Sequence, residues 1–157
     1  MEDKDYQKIK TSFLRLLSRR EYSQQELLTK LSLKGFNRSD IQCVLDELEQ
    51  QGLQNDERFA ESYAKSRLAN GFGPLKVQYE LVQRGISNFD LNKLVTENFG
   101  GWDALLLQVY RNKYSNEVDL TIKEQVKRSN FLQQRGFTGA MITKLFRANK
   151  VRNNDWS

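Results

Sequence analysis

No histidine occurs in the 157 residues, and cysteine occurs once, at position 43. The chain therefore lacks the commonest general base and the commonest metal ligand. Cys43 falls among Ile41, Val44 and Leu45 on an apolar helical stripe. With no histidine to activate it, the sequence predicts a buried, unreactive thiol. Gly71-Phe72-Gly73-Pro74 precedes a helix and has the outline of a phosphate cradle. It lacks the Gly-Lys-Ser/Thr ending of a P-loop and follows a helix rather than a strand, so it reads as a helix break. Acidic residues are scattered singly or as helix caps, with no cluster for a two-metal site. The residue types present suit binding rather than catalysis, and the expectation is a protein that is no enzyme and holds no cofactor or metal.

The groups that could bind are cations. The densest constellation is Asn55-Asp56-Glu57-Arg58-Phe59-Ala60-Glu61-Ser62-Tyr63-Ala64-Lys65-Ser66-Arg67. On a helix, Phe59 and Tyr63 share a core face, Asn55 or Asp56 caps the start, and Arg58 points to solvent. Arg67 falls on or beside the buried stripe, where an arginine needs a partner. It is either a structural salt-bridge former or a binding residue, and both readings stand. Lys76 lies in the first turn of the helix begun by Pro74, where a cation opposes the helix dipole; such a placement is more easily understood if the charge serves a partner. Further on, Lys123, Lys127 and Arg128 form one basic stripe with Arg135 two turns beyond, and Lys144, Arg147 and Lys150 form another. Residues 1–53 hold nine cations and nine anions, residues 54–100 six and six, and residues 101–157 ten and five. The whole excess of +5 therefore sits in the last third, which suits an anionic partner there.

The elements that must position these groups repeat. Leu31-Ser32-Leu33-Lys34-Gly35-Phe36, Leu81-Val82-Gln83-Arg84-Gly85-Ile86 and Leu132-Gln133-Gln134-Arg135-Gly136-Phe137 share a leucine four before a glycine, a cation just before it and an apolar residue just after. The glycines are 50 and 51 residues apart. A cap former follows each (Asn37, Ser87, Thr138), and then an apolar triplet: Ile41, Val44 and Leu45; Leu91, Leu94 and Val95; Ile142, Leu145 and Phe146. A fixed period of this length means one supersecondary unit used three times.

The first unit, residues 1–53, has a helix faced by Ile9, Phe13, Leu16 and Leu17. A second helix opens on a Ser23/Glu26 capping box and stops at Gly35; a third is capped by Asn37 and ends at Gly52. The second unit, 54–100, runs from Asn55 or Asp56 to about Ala69, from Pro74 to Gly85, and from a Ser87 cap to about Asn98. The third, 101–150, has a helix with Trp102, Leu105, Leu106 and Val109 on one face and a polar loop around Ser115-Asn116. A long helix then runs from about Leu120 to Gly136, and a last one from Thr138 to about Lys150. The tail 151–157 is expected to be frayed. No segment shows sustained strand alternation, so the fold class is all-α, nine helices in three tandem repeats. Only 38% of residues are hydrophobic, which such a stack tolerates. No run approaches a membrane span, and the start Met-Glu-Asp-Lys-Asp is no signal peptide, so the expectation is a cytoplasmic, unprocessed protein; a monomer is expected as well.

This arrangement resembles the RecX family, the bacterial regulators of the RecA recombinase. The resemblance is carried by Arg20-Glu21-Tyr22-Ser23-Gln24-Gln25-Glu26-Leu27 with Lys34-Gly35-Phe36. It continues in Gly52-Leu53-Gln54-Asn55-Asp56-Glu57-Arg58-Phe59-Ala60 with Arg67, Gly71, Gly73-Pro74 and Gly85-Ile86, and in Lys127-Arg128 with Phe131-Leu132-Gln133-Gln134-Arg135-Gly136-Phe137. It covers roughly residues 10–148, most loosely in the third unit. It implies three tandem three-helix repeats in an elongated, curved array, and a regulator of DNA repair, homologous recombination and the SOS response that lodges in the groove of the RecA–DNA filament. Filament growth, ATP hydrolysis, strand exchange and co-protease activity would be restrained there, with DNA met weakly or through the filament. On this view Arg58, Arg67, Lys76, Lys123, Lys127, Arg128, Arg135, Lys144 and Arg147 face the partner. The competing reading of the basic third unit is a helix-turn-helix protein that binds DNA directly.

Overall fold

The computed structural model describes residues 2–114, 119–149 and 152–154. Nine helices lie among them: α1 (Asp3–Leu17), α2 (Gln24–Leu33), α3 (Arg38–Gln50), α4 (Asp56–Ala69), α5 (Pro74–Gln83), α6 (Leu91–Phe99), α7 (Trp102–Lys113), α8 (Ile122–Gln134) and α9 (Gly139–Ala148). Two three-residue strands, β1 (Asp119–Thr121) and β2 (Arg152–Asn154), pair in parallel, with Asp119 opposite Arg152 and Thr121 opposite Asn154. The fold is all-α apart from that pair.

The pair corrects two expectations. Residues 152–154 are a strand rather than frayed chain, and Leu120 belongs to β1, its side chain buried, rather than to a helix. Three residues are too few for alternation to register in a sequence. Helix α8 begins after Thr121, whose hydroxyl accepts the Glu124 N–H at 2.9 Å. The Ser115-Asn116 loop, Lys150 and the rest of the tail lie outside the described residues.

The repeated glycine signature is one hydrogen-bonded turn. At the end of α2 the Gly35 N–H donates to Ser32 O (3.1 Å) and the Phe36 N–H to Leu31 O (3.3 Å). After α5 the bonds are Gly85 to Val82 (3.0 Å) and Ile86 to Leu81 (2.9 Å); after α8 they are Gly136 to Gln133 (3.0 Å) and Phe137 to Leu132 (3.2 Å). This is the Schellman closure, in which a glycine at positive φ turns the chain back to satisfy the last carbonyls. It also explains the spacing. The leucine four before the glycine and the apolar residue after it are the two side chains the turn brings together. Leu31, Leu81, Leu132, Ile86 and Phe137 are all buried.

The starts are capped mostly as expected. Ser23 and Glu26 form the reciprocal box, and Asn37 and Thr138 accept from the first-turn N–H groups of α3 and α9. Asn55 caps α4 by accepting the Arg58 N–H at 2.8 Å. Asp56 serves elsewhere, its Oδ1 accepting from the Gln24 N–H and the Gln54 amide, both at 2.9 Å. Ser87 does not cap α6. That helix starts at Leu91 under Asp90, which accepts the Lys93 N–H at 3.1 Å, because Asp90 stands directly before the first apolar residue.

The chain divides into two compact units: Met1–Tyr63 with Leu81–Phe89, and Ala64–Glu80 with Asp90–Ser157. In the first, Ile9, Phe13, Leu27, Leu31, Ile41, Val44, Leu45 and Leu48 make one core, with Tyr22 closing it. Cys43 is not part of it. The core stripe of α3 is 41, 44, 45 and 48, and at 3.6 residues per turn position 43 rotates off it. The thiol is exposed, which corrects the expected burial. In the second unit Leu68, Val77, Leu94, Val95, Leu105, Leu106, Leu132, Ile142, Leu145 and Phe146 are buried. Tyr110, which the apolar reading of α7 passed over, is buried there too, while Trp102 and Val109 are only half-buried.

Candidate partner-binding site

Helix α4 ends on the same turn as the others, with one substitution. The Gly71 N–H donates to Leu68 O (3.0 Å) and the Phe72 N–H to Arg67 O (3.2 Å). Arg67 thus holds the place that leucine holds elsewhere, and the paired side chains of the turn become a cation on a ring. The Arg67 Cζ lies 3.8 Å from the Phe72 centroid. Its Nε and Nη2 reach Glu80 Oε1 and Oε2, both at 2.9 Å. The bidentate fork is the stronger form of such pairing, and it supplies the partner that the position of Arg67 on α4 demanded.

Two more cations converge on Phe72. Pro74, with no N–H to satisfy, opens α5 and sets Lys76 in its first turn. The Lys76 Nζ bends back to 4.9 Å from the ring centroid. Here the end of α8 docks. The Gly73 N–H donates to Arg135 O (2.7 Å) and the Leu75 N–H to Gly136 O (3.0 Å), so the free donors of one helix start meet the free acceptors of another helix end. A Cβ on Gly73 would fall 2.6 Å from the Gly136 carbonyl carbon, and one on Gly136 2.6 Å from the Lys76 Cβ, so this approach needs both glycines. It delivers the Arg135 guanidinium to 4.7 Å from the Phe72 centroid, where Nη1 also donates to Asn70 O at 3.2 Å. Arg67, Lys76 and Arg135 share one phenyl ring, all within about one Debye length of each other at 0.1 M salt. Glu80 answers Arg67; Lys76 and Arg135 have no ion-pair partner among the described residues.

Arg58 does not join them. In the other unit its Nε pairs with Glu21 at 2.9 Å, its Nη1 donates to Gly52 O at 2.9 Å and its Nη2 to Leu53 O at 3.3 Å. It ties off the carbonyls at the end of α3 and so is a structural bracket, not a cation offered freely to solvent. Phe59 beside it is buried and stacks on Tyr63 at 5.6 Å, as expected.

The expected basic surface of the third segment splits. Lys123 and Lys127 are exposed on α8, and Arg147 is exposed on α9. Lys144 is exposed but paired with Asp103 at 2.6 Å. Arg128 is buried, at 5% exposure, and leaves the surface altogether. Its Nε bonds Glu124 at 3.0 Å, its Nη1 donates to the Tyr110 hydroxyl at 2.9 Å, and its Cζ lies 4.4 Å from the Tyr114 centroid. Burial works against its charge, but the hydrogen bonds to Tyr110 and Glu124 outweigh that and raise its pKa. The Tyr114 phenol is raised by burial, which Arg128 partly opposes. One residue after Lys127 on a helix is 100° around it, which is why the neighbours part company.

The sequence reading missed Phe72 and Glu80 as the centre and counter-ion of the cluster. It also missed Gln54, fully buried, whose amide donates to Tyr22 O and Asp56 and whose Oε1 accepts from Gln24. A third unforeseen group is Tyr6, whose hydroxyl donates to Glu47 at 2.6 Å, with Lys10 Nζ 3.3 Å from the same carboxylate. The Tyr6 bond first, and Lys10 second, hold Glu47 below the usual carboxylate range.

Comparison with known proteins places the fold. Family models described as the first and second three-helix domains of RecX match residues 10–48 and 55–93. The regulatory protein RecX of Legionella pneumophila (strain Corby) is 38% identical over 136 residues, 87% of this chain and 91% of that protein. That of Pseudomonas fluorescens (strain SBW25) is 34% identical over 137 residues, 87% of this chain and 88% of that one. The crystal structure of RecX from Lactobacillus salivarius superposes with a TM-score of 0.73 at 22% identity, covering 96% of this chain and all of that one. The chain belongs to the RecX family of regulatory proteins.

Proposed function

We propose that this protein is a regulator, mainly a negative modulator, of the RecA recombinase. It lodges in the groove of the RecA–DNA filament and restrains filament growth, ATP hydrolysis, strand exchange and the filament's co-protease activity. It does so by binding alone, as a cytoplasmic monomer with no catalysis of its own. The observation that carries this reading is the relationship to regulatory RecX proteins along 87% of the chain. The grouping of Arg67, Lys76 and Arg135 on Phe72 supports one contact face, with Lys123, Lys127 and Arg147 as further cations for it; Lys144 is left to its pair with Asp103.

The test is co-sedimentation with RecA filaments on single-stranded DNA, against DNA alone, with RecA ATP hydrolysis followed in parallel. The protein should pellet with filaments and slow hydrolysis. Lys76→Ala and the double change Lys123→Glu, Lys127→Glu should keep the melting temperature and lose inhibition, the latter more at low salt where screening is least. Inhibition unchanged in both variants refutes the assignment of the face. Tight, steeply salt-dependent binding to naked DNA with no effect on RecA supports direct DNA binding instead.

A further inference from the structure

Phe131 on α8 has two cations near its ring, the Lys113 Nζ at 5.0 Å and the Arg135 Cζ at 5.2 Å from its centroid. Arg135 also covers Phe72. Cations and phenyl rings therefore alternate along Lys113, Phe131, Arg135 and Phe72, within one compact unit. Beside this ladder opens a cleft of about 380 Å³, inside the size range of small-ligand sites. Phe99, Leu105 and Val109 give it one apolar part, and Lys113 and Arg135 belong to its lining. Gln108, Asn112 and Asn70 add amide donors and acceptors, and no carboxylate among the described residues lines it.

These features select a ligand. The lining is cationic, with no answering acid among the described residues, so the ligand carries negative charge. The apolar part of the wall stays wetted unless something flat and apolar covers it, which an aspartate or glutamate side chain does not. The amides call for a ligand edge that both donates and accepts. A nucleotide meets all three conditions: a planar base with a mixed hydrogen-bonding edge, joined to a phosphate. A base stacked inside a duplex cannot enter a cleft, so the source is a free nucleotide or a single strand. The continuation of the ladder past the cleft, to Phe72 and Lys76, favours a strand, whose neighbouring phosphates would find further cations. We propose that this cleft holds one unstacked nucleotide of a single-stranded nucleic acid, with the base against Phe99, Leu105 and Phe131 and the phosphate between Lys113 and Arg135. The inference goes beyond regulation of RecA and is tested without RecA, so its failure leaves that reading standing.

The experiment is fluorescence anisotropy with a labelled oligothymidylate of about twelve nucleotides and an abasic strand of the same length, which keeps the phosphates and removes the bases. The base-bearing strand should bind about tenfold more tightly, the value of one stacked base. Gln108→Trp, which fills the cleft from an exposed position on α7, should erase that difference; Asn112→Trp fills it from the next turn and serves if the first variant does not fold. Lys113→Glu should weaken both strands. Equal binding of the two strands by the parent protein overturns the proposal, as does a folded cleft-filled variant that keeps the difference. Displacement of the oligothymidylate by 5′-AMP at concentrations near the protein's own also overturns it, giving the cleft to a free nucleotide.

Discussion

Replacing Gly136 with alanine separates two demands that a glycine can meet at a helix end. Gly100 and Gly136 are both at positive φ, +77° and +101°, in the same compact unit. A Cβ on Gly100 would meet only the Ala104 Cβ at 3.5 Å, an ordinary contact. Gly100→Ala therefore carries little beyond the cost of left-handed backbone, about 1–2 kcal/mol. A Cβ on Gly136 would lie 2.6 Å from the Lys76 Cβ and 2.7 Å from the Lys76 backbone nitrogen. Backbone cannot swing aside as a side-chain tip can, so α5 must shift, and overpacking of this kind adds about 1–3 kcal/mol. Gly73→Ala isolates the second demand. Gly73 is not among the positive-φ glycines, yet its Cβ would lie 2.6 Å from the Gly136 carbonyl carbon and 2.7 Å from its oxygen. Urea unfolding followed by helical circular dichroism should place Gly136→Ala below Gly100→Ala by about 1–3 kcal/mol, with Gly73→Ala destabilised by a similar step. Gly136→Ala no costlier than Gly100→Ala, or a neutral Gly73→Ala, would refute the reasoning that two backbones meet there. Because this approach sets Arg135 over Phe72, the proposed contact face adds a second expectation: both clashing variants should slow RecA ATP hydrolysis less than their residual folded fraction accounts for.

Arg58→Ala should lower stability by about 1–2 kcal/mol, the range for charged hydrogen bonds discounted for a side chain nearly half exposed, and Arg58→Lys should not restore it because one ammonium cannot serve a carboxylate and two carbonyls together; urea midpoints equal to the parent's refute the bracket. Cys43 should react with a thiol reagent in the native protein nearly as fast as in urea, and strong native protection would show that α3 is rotated from the position described. Glu47 has a depressed pKa, so the stability it contributes is present above its unfolded value, about 4.3, and is lost as pH falls through the lower folded value. Tyr6→Phe should therefore destabilise at pH 7 and converge on the parent in acid; a difference independent of pH refutes the link.

What the sequence made legible is what lies close along the chain. A helix stop needs a glycine and two carbonyls a few residues back, and a cap needs one oxygen and the next turn, so the ends of α2, α5 and α8 and the starts of α2, α3 and α9 were readable in place. Cation roles were not, because they depend on partners far along the chain: Arg58 finds Glu21, 37 residues away, and Arg135 finds Asn70, 65 away. Helical spacing gave Lys127 and Arg128 one stripe, while the 100° between them sends one to solvent and the other to Tyr110. The Cys43 error has the same origin, since three neighbours in sequence are not three neighbours on a face. One signal was present and unread. Arg67 stands four before Gly71 with Phe72 after it, the same register as the three leucine signatures. An arginine in that register is bound to meet the aromatic ring that the turn folds back upon it.

The cation before each repeated glycine carries that argument further. Lys34, Arg84 and Arg135 all sit where a helix ends and its dipole favours positive charge, which is reason enough for the residue type to recur. Their surroundings then diverge. Lys34 is exposed and has no ion-pair partner among the described residues. Arg84 lies 3.7 Å from Glu26 and 4.5 Å from the Tyr63 centroid, its charge taken up within its own unit. Arg135 is set between Phe72 and Phe131 with no carboxylate paired to it among the described residues. The same local rule thus yields a solvated charge, a structural one and one still available to an anion. The difference comes from which aromatic rings and acids the neighbouring elements bring, and those differ because Gly73 and Gly136 let α5 and α8 meet backbone to backbone. The role of a repeated cation is in this way set by its neighbours rather than by the motif that contains it, and Arg135 is the copy whose charge no carboxylate among the described residues takes up.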